Sequence, residues 1–502
     1  MKSWREERTD MNPIERNIFE KSSAGRKGIK LPEPDVEKKP LDSLINRKLL
    51  RKTPPDLPQV PENEVVRHFV NLSVKNHHID RGFYPLGSCT MKYNPKINEK
   101  IAALSGFSFV HPFQIDHTVQ GALEALYKTS EYLAEISGLS AVSLQPVAGA
   151  QGEFTGLLLV RKYHEKKGRQ RKYVIIPDSA HGTNPASVIF AGYEVRQVKS
   201  AEDGTLSVES LRGVVDDDTA AVMLTNPNTL GLFEKEIEEI SKIVHDAGAL
   251  LYMDGANLNA QLGIVRPGDI GFDIVHFNLH KTFSTPHGGG GPGGGAVGVT
   301  AELEPFLPYP VVSRRDENGE DFYFLSYDRP DSIGKLHAFY GNFGVTVRAL
   351  TYLLMNGGEG LREVSDRAII NANYLKEKLK EKFDLPYPQH CMHEFVLSGS
   401  RQKKRGIKTM DMAKRMLDFG VHAPTCYFPL IVPEAMMIEP SETETREALD
   451  YFIEIMEKID REVDENPDML KSAPHDTPIR RLDERSAALK LDIVYRGEDS
   501  GE

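Results

Sequence analysis

The sequence predicts an α/β protein with a large domain built on a mostly parallel sheet and a smaller C-terminal α+β domain. Three observations carry that expectation. Between residues 66 and 345, short runs rich in Val and Ile alternate with amphipathic stretches, the signature of strands and helices taking turns along a parallel sheet. The runs Tyr173-Val-Ile-Ile-Pro, Ala220-Ala-Val-Met-Leu-Thr, Ala249-Leu-Leu-Tyr-Met-Asp and Phe272-Asp-Ile-Val-His-Phe each look like a buried strand that ends on a polar or catalytic-type residue. Strands buried on both faces read this way, and ligands of such sheets gather at the strands' carboxyl ends. After residue 345 the rhythm changes to a long helix-prone stretch followed by shorter segments.

Taken in chain order, residues 1–65 form an extended arm. They are polar and Pro-rich, with Lys30-Leu-Pro-Glu-Pro-Asp and Thr53-Pro-Pro-Asp-Leu-Pro, a composition that favours extended backbone over a packed core. Either an unstructured tail or a strap across a partner subunit fits. In the large domain, residues 66–345, the stretch from Glu234 to Gly248 places Ile at i, i+3 spacing and closes on glycine, as an amphipathic helix does. The small domain, residues 346–475, opens with helical patterns through Leu361-Arg-Glu-Val-Ser and Tyr374-Leu-Lys-Glu-Lys-Leu-Lys and continues through Glu394-Phe-Val-Leu-Ser and Met437-Ile-Glu-Pro. Residues 476–502 are a polar tail, and there is no internal repeat.

Bulk properties narrow the function classes. A chain of 502 residues exceeds one ordinary core, and 73 acidic against 62 basic residues give a net charge of −11 without a basic block, which argues against nucleic acid as a partner. The three cysteines, Cys89, Cys391 and Cys426, show neither CxxC nor CxxH spacing, so no disulfide framework or metal site is expected and a reducing, cytoplasmic setting fits. No secretory h-region and no apolar run of membrane-spanning length is visible.

Four stretches carry chemistry. Lys281 sits just past a buried strand in Phe277-Asn-Leu-His-Lys-Thr-Phe, ahead of a glycine-rich loop from Gly288 to Gly295 that can close around a flat ligand. A lysine next to a low-dielectric wall can serve as a Schiff-base nucleophile. Upstream, Asp254 ends a strand and is followed by Gly-Ala-Asn. A carboxylate there can keep a pyridoxal ring nitrogen protonated, with Ala256 packed beneath the ring and Asn257 donating to its phenolic oxygen. Gly149, Ala150 and Gln151 open a helical pattern and present unpaired backbone N–H groups to a phosphate. His181, in Asp178-Ser-Ala-His-Gly-Thr-Asn-Pro-Ala, follows another strand among small neighbours and can stack on the open ring face. The order is phosphate turn, stacking His, ring Asp, Schiff-base Lys.

That order is shared by the aspartate-aminotransferase-like fold, fold type I of the PLP-dependent transferases. The wording is narrower still. Phe83-Tyr-Pro-Leu-Gly-Ser-Cys-Thr-Met-Lys-Tyr-Asn-Pro, Val147-Ala-Gly-Ala-Gln-Gly-Glu, Ala180-His-Gly-Thr-Asn-Pro-Ala, Asp254-Gly-Ala-Asn, Asn278-Leu-His-Lys-Thr-Phe and Phe339-Tyr-Gly-Asn-Phe-Gly closely resemble the glycine dehydrogenase (decarboxylating), or P-protein, family. Val147-Ala departs from the more polar pair of that family. The chain looks like the second half of the longer members, called subunit 2. The resemblance implies pyridoxal 5'-phosphate as cofactor, with Lys281, His181 and Asp254 catalytic and His280 added to the cofactor-contacting set. It also implies glycine as substrate, glycine dehydrogenase subunit 1 as partner in an α2β2 heterotetramer, and the lipoylated H-protein as acceptor of the aminomethyl group. The Ser88–Lys92 loop is expected to line the glycine pocket. Arg81, Arg329 and Arg348 stay open as binders of the glycine carboxylate. An aminotransferase, a β-lyase or desulfurase, or a non-catalytic scaffold subunit are the rival readings.

Overall fold

The computed structural model describes residues 16–494 except 27, 54 and 292, so the outer ends of the expected arm and tail lie outside the described residues. The chain divides into two compact units, one up to His78 together with the chain from His475, the other from Ile79 to Pro474. In the first, the described part of the segment before the helix Glu62–Ser73 carries the short helical turns Leu41–Leu44 and Arg47–Leu49. It is tied together by Gly25 N donating to Gln59 Oε1 (2.9 Å) and by the Arg26–Glu64 ion pair.

The second unit is built on a seven-stranded sheet. Its strands are β1 Ala141–Ser143, β2 Tyr173–Pro177, β3 Glu194–Val198, β4 Thr219–Thr225, β5 Leu250–Gly255, β6 Ile274–Asn278 and β7 Gly295–Val299. They lie in the order β1-β7-β6-β5-β4-β2-β3, with β7 antiparallel to both its neighbours and the others pairing in parallel. Every residue of β4, β5 and β6 is buried, which explains why apolar residues dominate them. The helix Ile237–Asp246 buries Ile237, Ile240, Ile243 and Val244 along one stripe, and Gly248 just beyond it takes the positive φ of 68°.

The sheet's other covering helix, Gly149–Lys166, explains a glycine spacing that composition alone leaves obscure. A Cβ on Gly156 would stand 2.6 Å from the Tyr252 ring, and one on Gly149 would stand 2.3 Å from Asn278 Oδ1. Only glycine lets this helix lie on β5 and β6 so closely, and Tyr252 OH then reaches the Gly152 carbonyl at 3.1 Å.

A hairpin of β8 Val311–Glu317 and β9 Glu320–Ser326 leads to the helical stretch Phe343–Leu379, which breaks at Gly357, φ 59°. Beyond it, β10 Phe395–Ser398, β11 Thr425–Cys426 and β12 Ala435–Ile438 form an antiparallel sheet in the order β10-β12-β11. This second sheet has its own core, in which Phe395, Phe452, Met456 and Ile459 meet Leu375 and Leu379. Leu86 bridges to Ile438 on β12, the small sheet's middle strand, so the segment before residue 90 reaches the small sheet.

Candidate active site

The carboxyl ends of β4, β5 and β6 point the same way, and the chemistry-bearing residues lie there. Parallel pairing sets Asp254 on β5 directly opposite His276 on β6. His276 Nε2 comes to 3.1 Å from Asp254 Oδ1, an ion pair when the imidazole is protonated. Further donors reach the carboxylate: Ala256 N donates to Oδ1 (2.9 Å) and Asn184 Nδ2 donates to Oδ2 (3.1 Å). Burial opposes a charge on Asp254, but His276, then His181 and Lys281, outweigh burial and hold the carboxyl well below its usual range. For His276 too burial opposes the charge, and Asp254 overrides it and raises the imidazole. The product is a buried carboxylate with a cationic backing.

Lys281 follows β6 by one turn, is 7% exposed, and donates from Nζ to the Ser88 carbonyl at 2.7 Å. It lies close enough to Asp254 and His181 to act on the charge of each. His181 is half-buried; its Nδ1 stands 2.9 Å from Thr183 Oγ1, which donates to Glu153 Oε1 (2.8 Å), and Ser187 Oγ donates to Glu153 Oε2 (2.8 Å). Burial pushes the His181 imidazole down, with Asp254 opposing, a shift toward the neutral ring that stacking suits. Gly149, Ala150 and Gln151 open the 18-residue helix Gly149–Lys166, whose first turn has no side-chain cap. Gln151 instead turns back, its Oε1 accepting from Val147 N at 2.8 Å, so the N–H groups that such a turn leaves unpaired remain available.

Two expectations are modified. Asn257 donates through Nδ2 to Pro227 O (3.0 Å) and to Glu394 Oε1 (3.0 Å). Both neighbours are acceptors, so its amide nitrogen is spent, and Asn257 offers a ligand its oxygen as an acceptor rather than a donor. His280 Nδ1 engages the Gly294 peptide, at 2.9 Å from the carbonyl and 3.1 Å from the N–H. The ring therefore braces the glycine-rich loop and keeps only Nε2 for a ligand. Ala256 is buried beside Asp254. Of the three arginines, Arg348 is held bidentate by Glu99 (2.9 and 2.7 Å), Arg329 donates to the Glu304 carbonyl, and Arg81 is exposed.

The sequence reading missed a second set of groups facing Lys281. Glu394, just before β10, and Glu439, just after β12, are buried, with His393 beside them. Burial and then the charge of Glu439 raise the Glu394 carboxyl well above its usual value, and burial pushes Glu439 up to about 7. Burial holds His393 at about 3, a neutral ring. The signal for these residues was present: an ionisable residue flanking a wholly apolar strand, and likewise His276 inside one. His393, Glu394 and Glu439, like Glu153, Asp254 and His276, bring ligand-type atoms within 4.8 Å of one another; in both groups the carboxylates are already engaged by protein donors.

The three thiols do not offer a nucleophile. Burial pushes Cys89 up to about 11, with Lys281 opposing, and pushes Cys391 and Cys426 up to about 12. A reactive cysteine of the desulfurase kind would need the opposite shift. Among the described residues no helix is long and apolar enough to cross a membrane.

A mostly parallel sheet with Asp254 and Lys281 at the ends of adjacent strands, and a helix N-terminus opening beside them, defines an aspartate-aminotransferase-like, fold type I PLP-dependent transferase. Comparisons with known proteins agree: residues 156–291 match the aminotransferase class-V family, and residues 364–480 match glycine dehydrogenase, C-terminal domain. A solved glycine decarboxylase (P-protein) of the glycine cleavage system, in inhibitor-bound form, superposes with a TM-score of 0.72 at 22% identity, covering 84% of this chain and 94% of that one. The probable glycine dehydrogenase (decarboxylating) subunit 2 of Chloroherpeton thalassium is 60% identical over 95% of this chain and 97% of its own length. That of Halalkalibacterium halodurans is 58% identical over 97% and 99%. The chain belongs to the glycine dehydrogenase (decarboxylating) subunit 2 family.

Proposed function

We propose that this chain decarboxylates glycine with pyridoxal 5'-phosphate and passes the remaining aminomethyl group to the lipoyl group of an H-protein. It does so as the catalytic member of an α2β2 heterotetramer with a subunit 1, in the cytoplasm. The observation that carries the reading is the pairing of a buried lysine amine with a carboxylate kept ionised by His276, at the ends of neighbouring parallel strands.

The residues present fit the cofactor. Asn184 Oδ1, Asn257 Oδ1, Asn278 Oδ1, Thr282 Oγ1 and Thr285 Oγ1 are buried atoms without a hydrogen-bond partner, and protein interiors rarely leave such groups unsatisfied without a purpose. Lys281 would hold the aldehyde end, Asp254 the ring nitrogen, His181 a ring face, and the N-terminus of the helix Gly149–Lys166 the phosphate. When bound, the cofactor supplies an electron sink for the pair released as the Cα–carboxylate bond of glycine breaks.

The protein's own groups do the rest. Asp254, ionised with His276 behind it, keeps a proton at the ring nitrogen, which is what makes the sink deep. Thr183 and Glu153 fix the His181 ring. The Ser88 carbonyl accepts from the Lys281 amine and would hold it beside a bound cofactor. The guanidinium of Arg348 is committed to Glu99, so Arg348 does not clamp the substrate carboxylate rigidly. That suits a bond that must stand perpendicular to the ring to break.

The test has two parts. An absorbance scan of the purified protein should show a near-ultraviolet to visible band that borohydride bleaches and Lys281→Ala abolishes. With subunit 1 and lipoylated H-protein added, bicarbonate should exchange with the carboxyl carbon of labelled glycine. A featureless scan, or keto-acid formation without exchange, would overturn the reading.

A further inference from the structure

We infer that the loop Ser88–Thr90, clamped by Glu394 and Glu439, is the pocket wall that admits glycine and turns away amino acids carrying a side chain. The inference rests on the glycine reading above and names what in this chain sets its selectivity. A substrate amine that takes the place of the Lys281 amine inherits its neighbours. The nearest is the Ser88 carbonyl, 2.7 Å from Nζ, so whatever is attached to the substrate's Cα comes up against this loop.

The loop is held in a shape it would not choose. Ser88 and Thr90 have φ values of 56° and 46°, a region that costs a residue with a Cβ and persists only where surroundings enforce it. The enforcement is visible. Glu394 Oε2 accepts from Ser88 N (2.6 Å), Glu394 Oε1 accepts from Ser88 Oγ (2.8 Å) and from Asn257 Nδ2 (3.0 Å), and Glu439 Oε2 accepts from Thr90 N (2.9 Å). On one side Thr425 Oγ1 donates to Gly87 O at 2.9 Å, and a Cβ on Gly87 would lie 2.3 Å from Met437 Cγ. On the other, the buried Lys92 ammonium reaches Glu442 (2.8 Å), Asn259 (2.8 Å) and Tyr352 (3.1 Å). Ser88 and Thr90 are 4% and 1% exposed. A wall pinned this way cannot yield to a methyl group as a mobile loop would.

Glu394 and Glu439 are positioning residues, and the chemistry of their bonds separates them. Both oxygens of Glu394 accept, so Glu394→Gln sets an NH2 against a donor and breaks the clamp. Glu439 accepts through one oxygen only; its Oε1 has no hydrogen-bond partner and lies 3.8 Å from His393 Nε2. Glu439→Gln therefore keeps an acceptor for Thr90 N and turns its new NH2 toward the neutral His393 ring, whereas Glu439→Ala loses both.

The experiment is a spectral titration of the cofactor-loaded protein with glycine, L-alanine and D-alanine, reading Kd from the change in the absorbance band. Amide hydrogen exchange of residues 85–92 in the cofactor-free protein serves as a second readout. Wild type should respond to glycine and discriminate strongly against both alanines. Glu394→Gln and Glu439→Ala should lower that discrimination by about tenfold or more, the scale of a single methyl group in a pocket, and speed exchange at Ser88–Thr90; Glu439→Gln should do neither. Should Glu394→Gln fail to fold, Ser88→Ala, which removes only the hydroxyl end of the clamp, carries the same expectation. Folded variants that keep wild-type discrimination overturn the inference and leave the glycine reading standing. A wild type with no glycine-dependent spectral change overturns the glycine reading itself.

Discussion

Two buried acidic clusters approach the same lysine from opposite sheets, and they behave in opposite ways. On the large sheet, Asp254 stands against His276 and is held ionised. On the small sheet's side, Glu394 and Glu439 have each other and the neutral His393, and both carboxyls are raised. All are shut away from solvent to nearly the same degree. Burial raises every one of these carboxyls; at Asp254 the cationic His276 outweighs it, and at Glu394 and Glu439 the Lys281 charge does not. The division suits the proposed chemistry, which needs one fixed negative charge toward the ring and, on the substrate side, groups that hold backbone in place.

The largest effect is expected at the shared lysine: Lys281→Ala should lower glycine-dependent bicarbonate exchange on the order of 10⁴-fold, and a residual rate near wild type would remove Lys281 from the chemistry. Asp254→Asn, which keeps the shape and deletes the charge, should cost about 10²–10³-fold in the same assay while cofactor absorbance persists at high cofactor concentration.

His276→Gln turns the first cluster into the kind seen in the second. Breaking a buried pair by removing one partner should destabilise by about 3–5 kcal/mol, read from denaturant unfolding. The pH dependence has a definite sign. A carboxyl depressed in the folded state contributes stability above its unfolded pKa and loses it as pH falls through the folded one. With His276 gone that contribution shrinks, so acid unfolding and the acid limb of the rate profile should both begin at higher pH; an unmoved limb would show that Asp254 does not depend on this partner.

Gly156→Ala separates packing from charge. Its Cβ would press on the buried Tyr252 ring, and overpacking of this kind costs about 1–3 kcal/mol. A calorimetric scan should show a lowered Tm with the pH limbs unchanged. The smallest effect belongs to the surface pair His245–Asp273 (2.8 Å), where the Asp273 hydrogen bond raises the imidazole against burial. A raised histidine contributes stability below its unfolded pKa and loses it as pH rises through the folded value. His245→Gln should therefore cost under about 1 kcal/mol near pH 5.5 and less at pH 9, measured by urea unfolding.

Much of this was legible before any coordinates. The runs at Tyr173, Ala220, Ala249 and Phe272 became β2, β4, β5 and β6 because strands covered on both faces are largely apolar, and that constraint is written along the chain. Strands of weaker pattern escaped. β3 alternates Val with Glu, Arg and Gln at a sheet edge, and β7 is built on glycine in Gly295-Ala-Val-Gly-Val. The polar residues at strand ends marked Asp254, Lys281 and His181 as a candidate site, since local backbone direction alone sends them to one side of a parallel sheet.

What sequence could not decide was which of those residues meet, and what meets them. His276 was not singled out in the sequence, and only the register of β5 against β6 puts it beside Asp254. Asn257 read as a donor until Pro227 and Glu394 were found to take its amide nitrogen. Glu394 and Glu439, more than a hundred residues from Lys281 along the chain, reach it only because the small sheet folds back over the loop at Ser88. Covalent neighbours and their periodicity are properties of a chain. Strand register, and the choice of which buried charge faces which, arise only when distant segments pack, and there the ionisation of each group is set.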